Sequence, residues 1–154
     1  MAHPLISTLL DYKPADNQRL NWAEYFICQA LVSSFRSPSK KLQVGAVIVQ
    51  DNRLVGTGYN GYFPGAPHEA INVNNHEVNT VHAEQNAIAF AAKNGISVNH
   101  STMYVTHYPC LNCTKLIIAA GIKKVIHLHD YNNDPVAGQL FDQGGVEITK
   151  FDHL

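Results

Sequence analysis

Two short motifs place metal-ligating and proton-moving side chains at defined spacings: His82-Ala83-Glu84 and Pro109-Cys110-Leu111-Asn112-Cys113. Cys110 and Cys113 stand at i and i+3, about 60° apart on a helical wheel, so one helix can turn both sulfurs toward one ion. Behind Pro109 they fall in a first helical turn. Unpaired amides and the positive end of the helix dipole there favour thiolate over thiol. His82 adds an imidazole nitrogen. Two sulfurs and one nitrogen are ligands zinc takes readily, and three protein ligands leave the fourth tetrahedral position open, as catalytic sites require. Glu84 separates a catalytic from a structural reading. Positions i and i+2 lie about 200° apart on a wheel, so His82 and Glu84 can converge only on something off the end of their helix. A carboxylate there can accept a proton from a zinc-activated water, whose pKa falls from ~15.7 to ~7, and pass it on.

This chemistry needs both motifs at helix starts that face one point, and the flanking sequence supplies such elements. A helical pattern runs over Val81–Asn94, with Ala83, Ala87, Phe90 and Ala91 on one face and Gly95 as a stop signal. Cys110–Ala120 reads as a second helix ending at Gly121. Upstream, Asn21 can cap a helix over Asn21–Phe35 whose face carries Trp22, Tyr25, Phe26, Gln29 and Ala30. Val44–Val49 and Leu54–Tyr59 form a hairpin across Asp51-Asn52. Thr102–Thr106, Ile122–Leu128 and Val146–Phe151 read as strands, and Pro135–Gln143 as a short helix. Asn60–Thr80 is a long Gly-, Pro- and Asn-bearing loop of the kind that is usually functional or mobile. After the hairpin, strands and helices alternate, which predicts parallel crossovers in a mixed five-stranded sheet within a three-layer α/β/α sandwich.

Length and composition bound the rest. The 154 residues suffice for one domain with its own core, expected over 1–154 with an irregular lead-in at 1–20. Hydrophobic residues make up 45% and charged residues 15%, so the chain is globular. Eleven basic against twelve acidic residues give a net charge of −1, which offers no electrostatic reason to expect nucleic acid or an anionic membrane as partner. No apolar run approaches the ~20 residues of a membrane span. The first residues lack the basic and apolar layout of a signal peptide, so a cytoplasmic location is expected. A C-x-x-C in a reducing compartment points to metal or redox chemistry rather than a disulfide. Cys28, within the apolar run Tyr25–Val32, is expected to be a buried small hydrophobe. Of nine histidines, the motif singles out His82, and His107 precedes the Tyr108-Pro109-Cys110 turn.

The order H-x-E then P-C-x-x-C is the general signature of zinc-dependent nucleobase deaminases. Four stretches narrow the likeness. Gln43–Val49 (QVGAVIV), Gly58–Gly61 (GYNG), Thr80–Ile88 (TVHAEQNAI) and Tyr104–Lys115 (YVTHYPCLNCTK) resemble the deoxycytidylate (dCMP) deaminase family, including its bacterial members found with competence genes. The resemblance spans roughly residues 20 to 150. It implies hydrolytic deamination of dCMP to dUMP with release of ammonia, zinc held by His82, Cys110 and Cys113, and Glu84 as proton shuttle. It also implies that Asn60 bonds the substrate sugar, that Tyr108 packs near the base, and that the backbone at Val81–Ala83 reads the pyrimidine edge. Read from the residues alone, a turn residue beside glycine is the alternative for Asn60, and Tyr108 is equally ordinary packing.

A nucleotide needs a phosphate anchor. Arg36–Lys41 (RSPSKK) offers Lys40 and Lys41, with a solvated polar loop as the alternative. Family members are commonly hexamers controlled by dCTP and dTTP near GYNG. The resemblance therefore implies a homo-oligomer, hexamer or dimer, with Gly58, Tyr59 and Gly61 as candidate effector contacts. Two departures stand out. Relatives often bind a second, structural zinc through Cys and His in the long loop. Here that loop carries His68-Glu69 and His76-Glu77 without cysteine, so the second site is either lost or built from His and carboxylate. Relatives also tend to have Arg after the Tyr that follows the fourth strand, where Tyr131 is followed by Asn132. The same chemistry on cytidine, guanine or tRNA adenosine, and a non-catalytic zinc-binding relative, are the alternatives.

Overall fold

The computed structural model describes residues 3–12, 18–74 and 76–152, with His76 described by its backbone alone. The sheet is built outward from β1 (Gly45–Gln50), a strand buried along nearly its whole length. Such a strand has no solvent face, so both alternating sets of side chains must be apolar. Val47 and Val49 join Phe26, Ile27, Ala30, Tyr104 and Ile126 in one core cluster. Ala46 and Ile48 point the other way, into a larger cluster with Met103, Val105, Ile117 and Phe141.

β2 (Arg53–Tyr59) returns antiparallel to β1, with Gln50 opposite Arg53. Asp51 and Asn52, at φ 50° and 57°, make the two-residue turn, as Asp and Asn tolerate left-handed backbone. β5 (Thr102–His107) lies antiparallel on the other side of β1, and β6 (Lys124–His129) and β7 (Glu147–Lys150) follow in parallel. The five-stranded order is β2-β1-β5-β6-β7. Helix α2 (Trp22–Ser34) covers one face, and α3 (Ala83–Lys93), α4 (Leu111–Ala119) and α5 (Pro135–Gly144) lie on the side of the larger cluster. The expected mixed five-stranded sheet and three layers are present.

Five expectations are corrected. Part of the lead-in is helical: α1 (Pro4–Asp11) starts at Pro4 and is capped by His3, which accepts from the Leu5 amide at 3.2 Å. None of its residues is buried, so no core periodicity announced it. On α2 the buried stripe is Phe26, Ile27, Ala30 and Ser34, whereas Trp22 and Tyr25 are each 44% exposed. Cys28 is exposed rather than buried, because it sits on the outer side of that stripe. On α3, Phe90 is exposed and Glu84 is buried. The long loop also contains a small hairpin, β3 (Asn72–Val73) against β4 (His76–Glu77), whose two-residue strands are too short to show periodicity. No helix among the described residues is long and apolar enough to cross a membrane.

Close approach of α3 to β2 depends on Gly58. A Cβ there would lie 2.3 Å from the Ala83 carbonyl oxygen and 2.5 Å from the Ala87 nitrogen, both backbone atoms that cannot swing aside. Gly58→Ala is expected to cost about 3 kcal/mol of stability as strand and helix separate. Denaturant unfolding of the variant checks this; an unchanged midpoint would contradict the packing.

Candidate metal centre and substrate cavity

The starts of α3 and α4 meet. His82 is the N-cap of α3 and Cys110 the N-cap of α4, both with extended backbone. Cys113 follows within the first turn of α4 and is buried. His82 and Cys110 thus stand just outside their helices, with Glu84 and Cys113 just inside. This is the arrangement off a helix end that the i, i+2 spacing of His82 and Glu84 required. The His82 amide donates to Gln85 Oε1 at 2.9 Å, fixing the turn that aims the imidazole. Asn86 donates to the Tyr59 carbonyl at 2.9 Å and ties α3 to β2.

His82 Nδ1 lies 3.5 Å from both Cys110 Sγ and Cys113 Sγ. A tetrahedral zinc with Zn–S near 2.3 Å and Zn–N near 2.05 Å places nitrogen and sulfur about 3.6 Å apart. The triad fits that ion, and among the described residues it is the one group of His, Cys, Asp and Glu with such spacing. The thiols divide unequally. Hydrogen bonds from Cys113 and His82 push Cys110 down to about 3. Its thiolate, together with burial, pushes Cys113 up. The hydrogen bond to Cys110 raises His82 against its own burial. A coordinated thiol is deprotonated outright, so a divalent cation would take both sulfurs as thiolates. Glu84 is 4% exposed, and burial raises its carboxyl, opposed by its own amide and by His82.

His82, Cys110 and Glu84 open into one cavity of about 210 Å³, with Cys113 buried behind it. His82, Ala83, Glu84 and Cys110 line it, together with Leu42, Val44, Asn60, His107, Tyr108 and Tyr131. Asn60 has a structural duty: its Oδ1 accepts from the Val44 amide at 2.7 Å, and its Nδ2 donates to the Leu42 carbonyl at 2.8 Å. One N–H and one lone pair of the amide are left over. Tyr108 packs edge-on against buried His127, with ring centroids 5.0 Å apart, and its amide donates to the His129 carbonyl at 2.9 Å.

Other expected site residues fall elsewhere. Lys41 lines the cavity; Lys40 does not, and opens onto a neighbouring groove beside His129. Val81 does not line it either. Its amide and carbonyl pair with Gly61 at 2.8 and 3.0 Å in an isolated bridge, which leaves His82 and Ala83 as the members of that segment that line the cavity. His68 packs its ring against Tyr62, away from the triad, and the His76 side chain lies outside the described residues. In GYNG, Gly58 and Gly61 serve close packing, while Tyr59 borders an outer groove with Tyr62 and Phe63. Sequence reasoning missed Glu77, Thr80 and Tyr131 on the cavity wall. All three come from irregular segments or the two-residue strand β4, where no periodicity marks an inward side chain.

Hydrolytic deamination at a zinc centre is the chemistry that this fold and these side chains share, and the class is that of the zinc-dependent deaminases. Residues 20–129 match the family described as the cytidine and deoxycytidylate deaminase zinc-binding region. The chain is 42% identical over 137 residues to ComE operon protein 2 of Bacillus subtilis, covering 86% of this chain and 72% of that one. It is 40% identical over 145 residues to human deoxycytidylate deaminase, with 86% and 80% covered. The crystal structure of dCMP deaminase from the cyanophage S-TIM5 in complex with dCMP and dUMP aligns with a TM-score of 0.76 at 32% identity, covering 83% of this chain and 95% of that one. The chain belongs to the cytidine and deoxycytidylate deaminase family, and its cofactor is zinc.

Proposed function

We infer that the protein hydrolyses dCMP to dUMP and ammonia. The observation that carries this reading is a buried carboxylate, Glu84, in the same cavity as a ligand triad spaced for zinc. Relatives named deoxycytidylate deaminase support the substrate. Zinc, when bound, supplies Lewis acidity and brings a coordinated water toward a pKa of about 7.

Glu84 does the proton work. Its carboxylate accepts a proton from the attacking water as the new bond forms at C4 of the base. It delivers that proton to ring N3, then takes the remaining proton of the new hydroxyl at C4 and passes it to the 4-amino group, which leaves as ammonia while the C4 carbonyl forms. Burial raises the Glu84 carboxyl, which brings its proton affinity nearer to those of the groups it serves. Ala83, at the first turn of α3, offers backbone to the pyrimidine edge. Tyr108 forms the wall beside the base, and the spare N–H and lone pair of Asn60 are available to the sugar.

Lys41 is the phosphate anchor in this reading, since it lines the cavity and Lys40 does not. Homo-oligomerisation, and dCTP or dTTP as effectors beside Gly58, Tyr59 and Gly61, belong to the same proposal. A triad spaced for zinc beside a buried carboxylate gives no reason to retain a non-catalytic role.

The test is ammonia release across cytosine, adenine and guanine nucleosides and nucleotides, with dCMP expected to give the highest kcat/KM. In the same assay Lys41→Ala should raise KM for dCMP about tenfold or more, the worth of one charge-assisted contact, with a far smaller effect on deoxycytidine. Equal effects on the two substrates would remove Lys41 from the phosphate site.

A further inference from the structure

His107 lines the catalytic cavity, yet the reaction leaves it without a task. It ends β5, partly buried, in register with His129 of β6, and the two rings lie 5.2 Å apart. Its Nδ1 stands 2.9 Å from Thr106 Oγ1. That hydroxyl is already an acceptor, because the Gly45 amide donates to it at 3.1 Å. The β1–β5 ladder stops one residue short of this pair, at Ala46 opposite Val105, so the Thr106 hydroxyl stands in for a strand carbonyl. The Thr106 side chain is buried, and among the described residues Gly45 and His107 are its hydrogen-bond partners.

A hydroxyl has one hydrogen and two lone pairs. With one lone pair taken by the Gly45 amide, the hydrogen is satisfied when it goes to His107 Nδ1. Were Nδ1 itself protonated, as in the other tautomer or the imidazolium, the buried hydroxyl hydrogen would have no acceptor among the described residues, which is unfavourable away from water. Burial, and His129 after it, also push the His107 imidazole below its ordinary value. A neutral imidazole with Nδ1 as acceptor carries its proton on Nε2. That nitrogen has no hydrogen-bond partner among the described residues. We propose that Thr106 is a positioning residue that holds His107 as the Nε2–H tautomer, so that the cavity wall offers the substrate an uncharged N–H donor. Use of the donor rests on the reading of the previous subsection, in which the substrate is dCMP, whose carbonyl, ring and phosphate oxygens accept. The tautomer itself does not depend on that reading.

The test is imidazole nitrogen NMR of the zinc-loaded enzyme at neutral pH, with the His107 signals identified by their loss in His107→Gln. Wild type should show Nε2 protonated and Nδ1 bare. Thr106→Val removes the hydroxyl at nearly constant shape and should give a mixture of tautomers; Thr106→Ala serves the same purpose if the valine variant folds poorly. Thr106→Ser restores the hydroxyl and should restore the single Nε2–H form. Turnover of dCMP should follow the donor. In His107→Leu kcat/KM should fall by up to about tenfold, the worth of one neutral hydrogen bond, whereas His107→Gln, whose amide keeps a donor, should stay within a few-fold of wild type. A Thr106 that only held the strands together would lower stability in the variants and leave the tautomer unmoved. That result overturns the proposal, as does a wild type with Nδ1 protonated or a His107→Leu variant as active as the wild type. Absence of dCMP turnover by the wild type would instead overturn the functional reading and the donor's use with it, while the spectrum still decides the tautomer.

Discussion

Glu84→Gln should retain zinc and lose deamination by about 10⁴-fold, the upper range for a single positioned acid–base group. The substitution is nearly isosteric, so the close-packed start of α3 and the neighbouring ligand His82 keep their places. What disappears is a group that can exchange a proton. Glu84 is asked to act twice, moving one proton of the attacking water to the base and then the second, from the new hydroxyl at C4, to the leaving amine, so no other step compensates. Among the described residues lining the cavity, Glu77 is the other carboxylate, and it sits on the hairpin rather than beside the triad. Metal content per chain and ammonia release from dCMP, measured on one preparation, check the expectation. Turnover at the wild-type rate in Glu84→Gln would sink the mechanism. Loss of zinc along with activity would show instead that the carboxylate holds the metal centre together.

Removing a sulfur should have a comparably large effect for a different reason. Cys113 is fully buried in the first turn of α4, with its Sγ 3.5 Å from His82 Nδ1. In Cys113→Ala the ion keeps one thiolate and one imidazole, too few to compete with water and chelators. Stoichiometric zinc and activity should both be lost. Because zinc binds the folded triad and not the unfolded chain, zinc at about a thousandfold excess over its Kd should stabilise the wild type by about 4 kcal/mol. For a chain of this size that is a rise in Tm of roughly 10 °C. Chelation should reverse the rise, and added zinc should restore it in the wild type but not in Cys113→Ala. Cys28→Ser is the control: that thiol is exposed on α2 and, among the described residues, belongs to no ligand group. A Cys113→Ala protein that still carried one zinc per chain and kept its thermal shift would refute the ligand assignment.

Sequence by itself singled out the candidate zinc ligands and Glu84, because their spacing is a constraint on local helix geometry. An i, i+3 cysteine pair behind a proline, and a His two residues before a Glu at a helix start, allow few arrangements other than convergence off two helix ends. It determined the layer order too. β1 is an unbroken apolar run because it is buried on both faces, and alternating strand and helix patterns follow from burying one face of each later element. Tertiary structure alone decided which polar groups reach the cavity. Lys40 and Lys41 are adjacent and chemically equal in sequence, yet only Lys41 lines it. Val81 is withdrawn because its backbone groups pair with Gly61 from a distant segment. Gly58 looks like a ligand-motif glycine, and only the contact with the Ala83 carbonyl reveals it as the point where a strand meets a helix. Glu77 reaches the wall through a hairpin whose strands are two residues long. Irregular segments carry no periodicity, so their side-chain directions are set by contacts between residues far apart in the chain.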